Sequence, residues 1–489
     1  MNRQWMIVLF AACAAAAAHA EDLQTVYQHA LTADPSMQQA EAVHLAVREN
    51  KTQAILNMLP LNANANKSWY NQPGVTGSGT SSATTPWLGT LGLQVNLFSW
   101  DNWVALKAAN STVAQGEANY EAARQALIAR VAQQYFAVLS AQDNLAAQAS
   151  ALQSAERQLE QAERRYEVGL IAVTDVQIAR ATRDSNAAAV IAAKRTLASA
   201  NEQLRATTGE SYRRLAQPGE NMPLLAPDPA SEDSWVSTAL GQNAALIASR
   251  LSVDIAHDDY LTAIGGHLPT ITASAQRNWN LSGGNGQNTQ SISGGPGAGT
   301  IPVLIDTQDI IWSVGVTVPL FSAGATQSKV RQSKYSWRAS QAGYEAARRS
   351  AEQQARDAYQ GVISQIAQVG ALKQAVASNQ ISLQATEAGY EVGTKTAIDV
   401  ITQRQLLVQA QTNYTQAKYG YLNDIVALRQ AAGNLDAATV IQINSWLVQA
   451  VETQDTAPTP SPAPAPAAPA DAAPAGSPPA TTGRSPGAG

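Results

Sequence analysis

The chain has 489 residues, 45% of them hydrophobic and 14% charged, with a formal net charge of −5 and a single cysteine. No basic block runs along it, which argues against a nucleic-acid partner, and one cysteine excludes a disulfide framework within the chain. Beyond the N-terminus no stretch of 18 or more apolar residues occurs, so a membrane role has to use strands rather than a spanning helix.

Residues 1–20, MNRQWMIVLFAACAAAAAHA, carry Arg3 as their only charge, then an apolar run, then the small-x-small site Ala18-His19-Ala20. They are expected to be a secretory signal removed after Ala20. Lipidation at Cys13 is the alternative, but Phe10-Ala11-Ala12-Cys13 is a poor lipobox. Without this segment 31 Lys and Arg (32 less Arg3) stand against 37 Asp and Glu, and no cysteine remains.

Two pairs of strands are predicted next. Leu61, Ala63 and Ala65 alternate with Asn62, Asn64 and Asn66, and Leu91, Leu93, Val95 and Leu97 alternate with Gly92, Gln94 and Asn96. Later in the chain Ile271, Ala273 and Ala275 alternate with Thr272, Ser274 and Gln276, and Ile310, Trp312, Val314 and Val316 alternate with Ser313, Gly315 and Thr317. A period of two with one apolar and one polar side describes strands whose faces meet different solvents. Trp69, Trp87, Trp100, Trp103, Trp279 and Trp312 fall in or beside these strands, where a membrane interface selects aromatics. The stretch of about 281–308 is rich in Gly, Ser and Asn and is expected to be an exposed loop.

Each strand pair is followed by a long helical pattern. Stepping back in sevens from Tyr166 gives Leu159, Leu152, Leu145, Val138 and Val131; from Tyr390 it gives Leu383, Val376, Val369, Val362 and Ala355. Stepping forward from Val176 gives Arg183, Val190, Leu197 and Leu204; from Val400 it gives Leu407, Tyr414, Tyr421 and Leu428. Sustained seven-residue columns predict helices that coil around partners. The columns meet at Tyr-Glu-Val-Gly, which occurs at 166–169 and again at 390–393, 224 positions on, each time with an Asp-Val nine residues after the Tyr. Gly169 and Gly393 suit the left-handed residue that ends a helix, and Thr174 is expected to cap the helix that follows. No proline interrupts about 102–165 or 325–388, so each helix is expected to approach about 90–100 Å at 1.5 Å per residue.

The chain is thus expected to be an internal duplication. Residues 21–210 form the first repeat of helix, two strands and a long hairpin, 211–229 a linker, and 230–432 the second repeat. A C-terminal segment spans 433–456, and the Pro/Ala-rich stretch 457–489 is expected to be disordered. Leu59-Pro60 matches Leu268-Pro269, and Leu97-Phe98-Ser99 matches Leu320-Phe321-Ser322. Four strands do not close a membrane barrel, and an open edge in lipid is forbidden, so copies must join; a dimer gives eight strands and a trimer twelve. His29, His44, His257 and His267 form no metal-binding spacing and no nucleophile elbow occurs, so no enzyme activity, metal or cofactor is expected.

The Leu-Pro strand starts, the Leu-Phe-Ser junctions, the Val-Gly-Leu and Val-Gly-Thr turns, and the Thr174-Asp175-Val176-Gln177 and Ile398-Asp399-Val400 runs after them resemble the TolC family of bacterial outer-membrane exit ducts. The likeness extends from about Asp22 to Leu447. It implies an all-α coiled-coil barrel fused to a trimeric twelve-stranded outer-membrane β-barrel, four strands per protomer. It also implies a homotrimer set in outer-membrane lipid and reaching into the periplasm, with a periplasmic adaptor and an inner-membrane pump as partners, carrying drugs or secreted proteins. By the same resemblance Val168, Gly169, Leu170, Val392, Gly393 and Thr394 meet the adaptor. Tyr390 links to Asp175, Lys395 links to Thr174 and Asp175, and Asp399 lines the pore constriction. The family's namesake carries Arg at the place of Lys395 and a second acidic residue at the place of Thr402. The alternative, a periplasmic coiled-coil adaptor, would carry one hairpin, not two with membrane-type strands at their far ends.

Overall fold

A computed structural model describes residues 21–58, 61–67, 87–219, 222–280, 287–291, 300–304 and 310–452. The expected signal segment with Cys13, Trp69, the Gly-rich run 294–299 and the stretch 457–489 lie outside the described residues. The described residues belong to one compact unit. Its first half runs α1 (Leu23–Ala33), α2 (Pro35–Leu56), β1 (Leu61–Lys67), β2 (Trp87–Phe98), α3 (Trp100–Glu167) and α4 (Val173–Thr208). After β3 (Arg214–Pro218), the second half runs α5 (Glu232–Gln242), α6 (Ala244–Gly265), β4 (Thr270–Asn280), β5 (Gln287–Ser291), β6 (Thr300–Leu304), β7 (Ile310–Thr317), α7 (Ala325–Glu391) and α8 (Ala397–Ala432). Then come α9 (Ala437–Asn444) and β8 (Leu447–Glu452).

The helices α3 and α7 have 68 and 67 residues, and α4 and α8 have 36 each, as the duplication requires. In the seven-residue columns Val131, Val138, Leu159, Val176, Leu197 and Leu204 are buried, as are Ala355, Val362, Val369, Leu383, Val400, Tyr421 and Leu428. Only Tyr166 among the column members is exposed. Small residues sit between them: Ala151, Ala155, Ala162, Ala179 and Ala193 are all buried. This lets the coiled helices approach closely.

The main core lies part-way along the hairpins. Leu127, Val131, Tyr135, Phe136 and Leu139 of α3 meet Leu23, Val26 and Ala30 of α1, Leu204 of α4, Tyr421, Leu422 and Val426 of α8, and Leu435 and Ile443 near α9. Tyr135 is wholly buried, and its hydroxyl donates to the Ala216 carbonyl at 2.5 Å. The strand β3 pairs antiparallel with β8, so the expected linker and the C-terminal segment close one small sheet against this core.

β1, β2, β4 and β7 form one antiparallel sheet in that order. The register aligns Leu61, Leu93, Ala275 and Trp312 across all four strands, and Val95, Ala273 and Val314 across three. The next residues along align Gln94, Ser274 and Ser313, and the Ser274 and Ser313 hydroxyls bond at 2.7 Å. One side is therefore apolar and the other polar, as the alternation predicts. The apolar side is bare: Trp312, Val314 and Val316 are 78%, 71% and 63% exposed. Arg277 interrupts it, paired with Leu91 and Ile310 toward the end away from the helices, where a long side chain can carry its charge outward. Among the described residues no helix is long and apolar enough to cross a membrane.

Two local expectations are corrected. The stretch 281–308 is not loop throughout, because β5 and β6 pair antiparallel within it. Thr289, Thr300, Ile301 and Val303 supply β-favouring side chains that the Gly/Ser/Asn content obscures. Thr174 does not cap α4: the helix begins at Val173 after Ala172, whose side chain offers no acceptor, so Thr174 sits inside the first turn.

Candidate functional site

The two hairpin tips are the candidate site. α3 ends at Glu167 and α7 at Glu391, and each chain reversal uses a glycine with positive φ, 75° at Gly169 and 80° at Gly393. The backbone closes both turns alike. Gly169 N–H donates to the Tyr166 carbonyl (2.9 Å) and Leu170 N–H to the Arg165 carbonyl (2.9 Å); Gly393 N–H donates to Tyr390 (3.2 Å) and Thr394 N–H to Gly389 (2.9 Å). This double closure satisfies the last carbonyls of each helix. Both glycines face open space, so a methyl group would meet no atom and only the backbone conformation would be strained.

The turns present apolar side chains outward. Val168, Leu170 and Val392 are 70%, 72% and 75% exposed. Thr394 is exposed as well, with its hydroxyl donating to the Gly389 carbonyl at 3.0 Å.

Beyond the turns the copies differ. α8 starts with a capping box: the backbone N–H and hydroxyl of Thr396 donate to Asp399 Oδ2 at 2.9 and 2.8 Å, and Asp399 N–H donates back to Thr396 Oγ1 at 3.3 Å. The Thr396 backbone bond first, then its hydroxyl, with Lys395 adding a nearby positive charge, hold the Asp399 carboxyl below the ordinary carboxylate value against a smaller opposing effect of burial. A depressed acid contributes its stability above its unfolded value, so the box is intact at neutral pH and is lost only as pH falls through the lowered value. The signal was in the sequence: Thr396-x-x-Asp399 is a capping-box spacing. The first copy has Ala172 where the second has Thr396, which is why only one tip has the box.

Each hairpin also carries an ion pair one turn above its tip. Arg180 reaches Glu163 across the first at 3.0 Å, and Arg404 reaches Glu387 across the second. These four residues are related by the same 224-position offset as the tyrosines. Applying the offset to charged residues finds them.

Tyr390, Lys395, Thr174 and Asp175 all lie in the last turn, the reversal or the first turn of their hairpins. Within the chain, and among the described residues, none of the four side chains hydrogen-bonds to another. Tyr390 instead has the Arg165 guanidinium over its ring, 4.8 Å from the centroid. Of the aromatics expected at a membrane interface, Trp312 is exposed on the apolar side of the sheet. Trp87 and Trp279 occupy strand positions paired with Lys67 and Gly89. Trp100 opens α3, and its indole N–H donates to the Leu261 carbonyl at 3.0 Å. Trp103, also beside these strands in the sequence, is 62% exposed one turn further on.

The profile of the outer membrane efflux protein family matches residues 26–210 and 235–434, the two halves described above. The chain is 33% identical over 433 residues to the outer membrane protein TolC of Vibrio cholerae, covering 88% of this chain and 94% of that one. It is 26% identical to the alkaline protease secretion protein AprF of Pseudomonas aeruginosa, covering 84% of each. Its fold superposes on the crystal structure of the CmeC outer membrane channel of Campylobacter jejuni with a TM-score of 0.68 at 18% identity, over 86% of this chain and 89% of that one.

Proposed function

The chain belongs to the outer membrane efflux protein family and is an outer-membrane exit channel reaching into the periplasm, and we propose that it works as a homotrimer whose helical tips form a gated periplasmic entrance. One observation carries the assembly: a four-stranded sheet whose β7 residues are bare on the apolar side and whose edges at β1 and β7 are unpaired among the described residues. Backbone groups left unpaired in lipid are costly, so β7 of one copy pairs with β1 of the next until the barrel closes. Three copies give twelve strands, the number the family uses. The proposed lipid contacts are the apolar side of that barrel, where Trp312 is exposed.

The family works with periplasmic adaptors and inner-membrane pumps, and the proposed docking surface here is the exposed apolar pair of tips: Val168, Gly169 and Leu170 with Val392, Gly393 and Thr394. Cargo is proposed in class: efflux substrates, after the family's description, and secreted protein, after the protease-secretion relative AprF. The adaptor alternative is not favoured, because two hairpins and a membrane-type sheet occur in one chain. The family's role is transport, and no catalytic step is assigned.

Tip geometry is tested by Gly169→Ala and Gly393→Ala. Each forces a side chain into the left-handed region at a cost of about 1 kcal/mol, with no steric clash to add. Export is expected to fall while oligomer level in the outer membrane stays normal; unchanged export from both variants removes the tips from the adaptor interface.

Closure is tested separately. The proposed gate places Tyr390 and Lys395 against Thr174 and Asp175 in the closed trimer, with Asp399 lining the narrowest ring. Tyr390→Phe with Lys395→Ser removes a hydroxyl and a cation, each charge-assisted bond being worth about 1.5–3 kcal/mol, in three copies. Single-channel conductance in planar bilayers is expected to rise, and conductance equal to the parent's assigns closure to other residues.

A further inference from the structure

We propose that Arg165 is an additional gate residue, whose guanidinium clasps the ring of Tyr390 and so ties the first hairpin to the second at the entrance. The proposal rests on the reading of the tips as a gate and adds a tie across the hairpins that does not use the tyrosine hydroxyl.

Arg165 lies in the last turn of α3 and Tyr390 in the last turn of α7, so the contact joins the two hairpins, not two parts of one. At 4.8 Å from the centroid the guanidinium is inside the range at which a cation is held by an aromatic face. Both residues are half-buried, which removes part of the water that would otherwise weaken the attraction. Two of the neighbouring carboxylates are taken by other arginines: Glu160 pairs with Arg164 and Glu163 with Arg180. Among the described residues Arg165 makes no ion pair, so the ring is what holds it.

The duplication breaks at this point. The position 224 residues after Arg165 is Gly389. A Cβ there would lie 2.8 Å from Lys395 Cγ, and the Gly389 carbonyl accepts from both Thr394 Oγ1 (3.0 Å) and Lys395 N–H (3.2 Å). The second tip is thus folded tightly on itself, while the first sends a cation across. The tyrosines differ to match: Tyr390 is half-buried, whereas Tyr166, its counterpart, is 48% exposed. Leu139, in the main core, is 26 residues before Arg165, about 40 Å away along a helix at 1.5 Å per residue. A contact so far from the packed middle has a long lever arm against separation of the tips.

The experiment uses full-length channels in planar bilayers and compares the open fraction of the parent with Arg165→Gln, Arg165→Lys, Tyr390→Phe, Tyr390→Leu and the double variant Arg165→Gln/Tyr390→Leu. Arg165→Gln keeps length and polarity and removes the cation, and is expected to shift the closed–open ratio toward open by about two- to fivefold per clasp. Arg165→Lys keeps a cation without the planar guanidinium and is expected to fall between the parent and Arg165→Gln. Tyr390→Phe keeps the ring face, so Arg165→Gln should still act on top of it, whereas in a Tyr390→Leu background Arg165→Gln should add nothing. An Arg165→Gln channel that opens like the parent overturns the proposal. If it does so while the Tyr390→Phe/Lys395→Ser channel opens, the gate stands without the clasp; if that channel is also silent, the gate reading falls with it.

Discussion

Channels carrying Asp399→Asn are expected to lose most of their block by trivalent cations added from the periplasmic side. In the proposed trimer three Asp399 side chains converge on the axis. Each carboxylate within about 4 Å of a cation contributes roughly 1 kcal/mol per unit of cation charge even in bulk-water dielectric, so a trivalent ion gains several kcal/mol from the ring before screening. The half-blocking concentration should therefore rise by more than about tenfold, equivalent to ~1.4 kcal/mol or more. Asparagine is a clean substitution because its amide oxygen can still accept from Thr396, where Asp399 Oδ2 now takes two bonds. The start of α8 is kept and only the charge is lost. The parent's block should weaken with salt as the Debye length shrinks from about 10 Å at 0.1 M to about 3 Å at 1 M. Thr402→Asp, adding a second ring, should strengthen it. Equal blocking constants for parent and Asp399→Asn would confine Asp399 to its capping role.

Val314→Arg is expected to abolish assembly in the outer membrane. Val314 lies mid-strand in β7, in register with Ala273 and Val95, and is 71% exposed on the apolar side. Arginine on the lipid face near the bilayer midplane costs about 2–4 kcal/mol per site, and a trimer carries three. The neighbouring Ser313→Arg points to the polar side, beside Ser274, and is expected to leave assembly intact while changing ion selectivity. Equal tolerance of the two arginines in membrane fractions would mean that the apolar side does not face lipid.

Much of this architecture was legible because it repeats. The seven-residue columns meet at the same four-residue word in both halves, and the structure buries those columns and turns the chain at Gly169 and Gly393. The strands were legible because their two sides differ in polarity at every step, and the register aligns those sides across the sheet. What escaped depends on partners distant in sequence. Nothing local to Arg214–Pro218 announces that it pairs with a strand more than 200 residues later. Trp100 looks like a strand-end aromatic, but Ser99 stands at the start of α3 and the indole turns to Leu261. The Arg165–Tyr390 contact joins residues 225 apart in the sequence, at a position where the two copies differ, so repeat symmetry points away from it.

The assembly itself is most directly tested by the mass of the particle extracted in mild detergent, read together with its behaviour in SDS without heating. Three chains per particle, resistant to SDS until heated, are expected from a sheet whose free edges β1 and β7 pair between copies. A monomer that retains its helical content in the same detergent would contradict it, because a lone four-stranded sheet would then tolerate both edges unpaired.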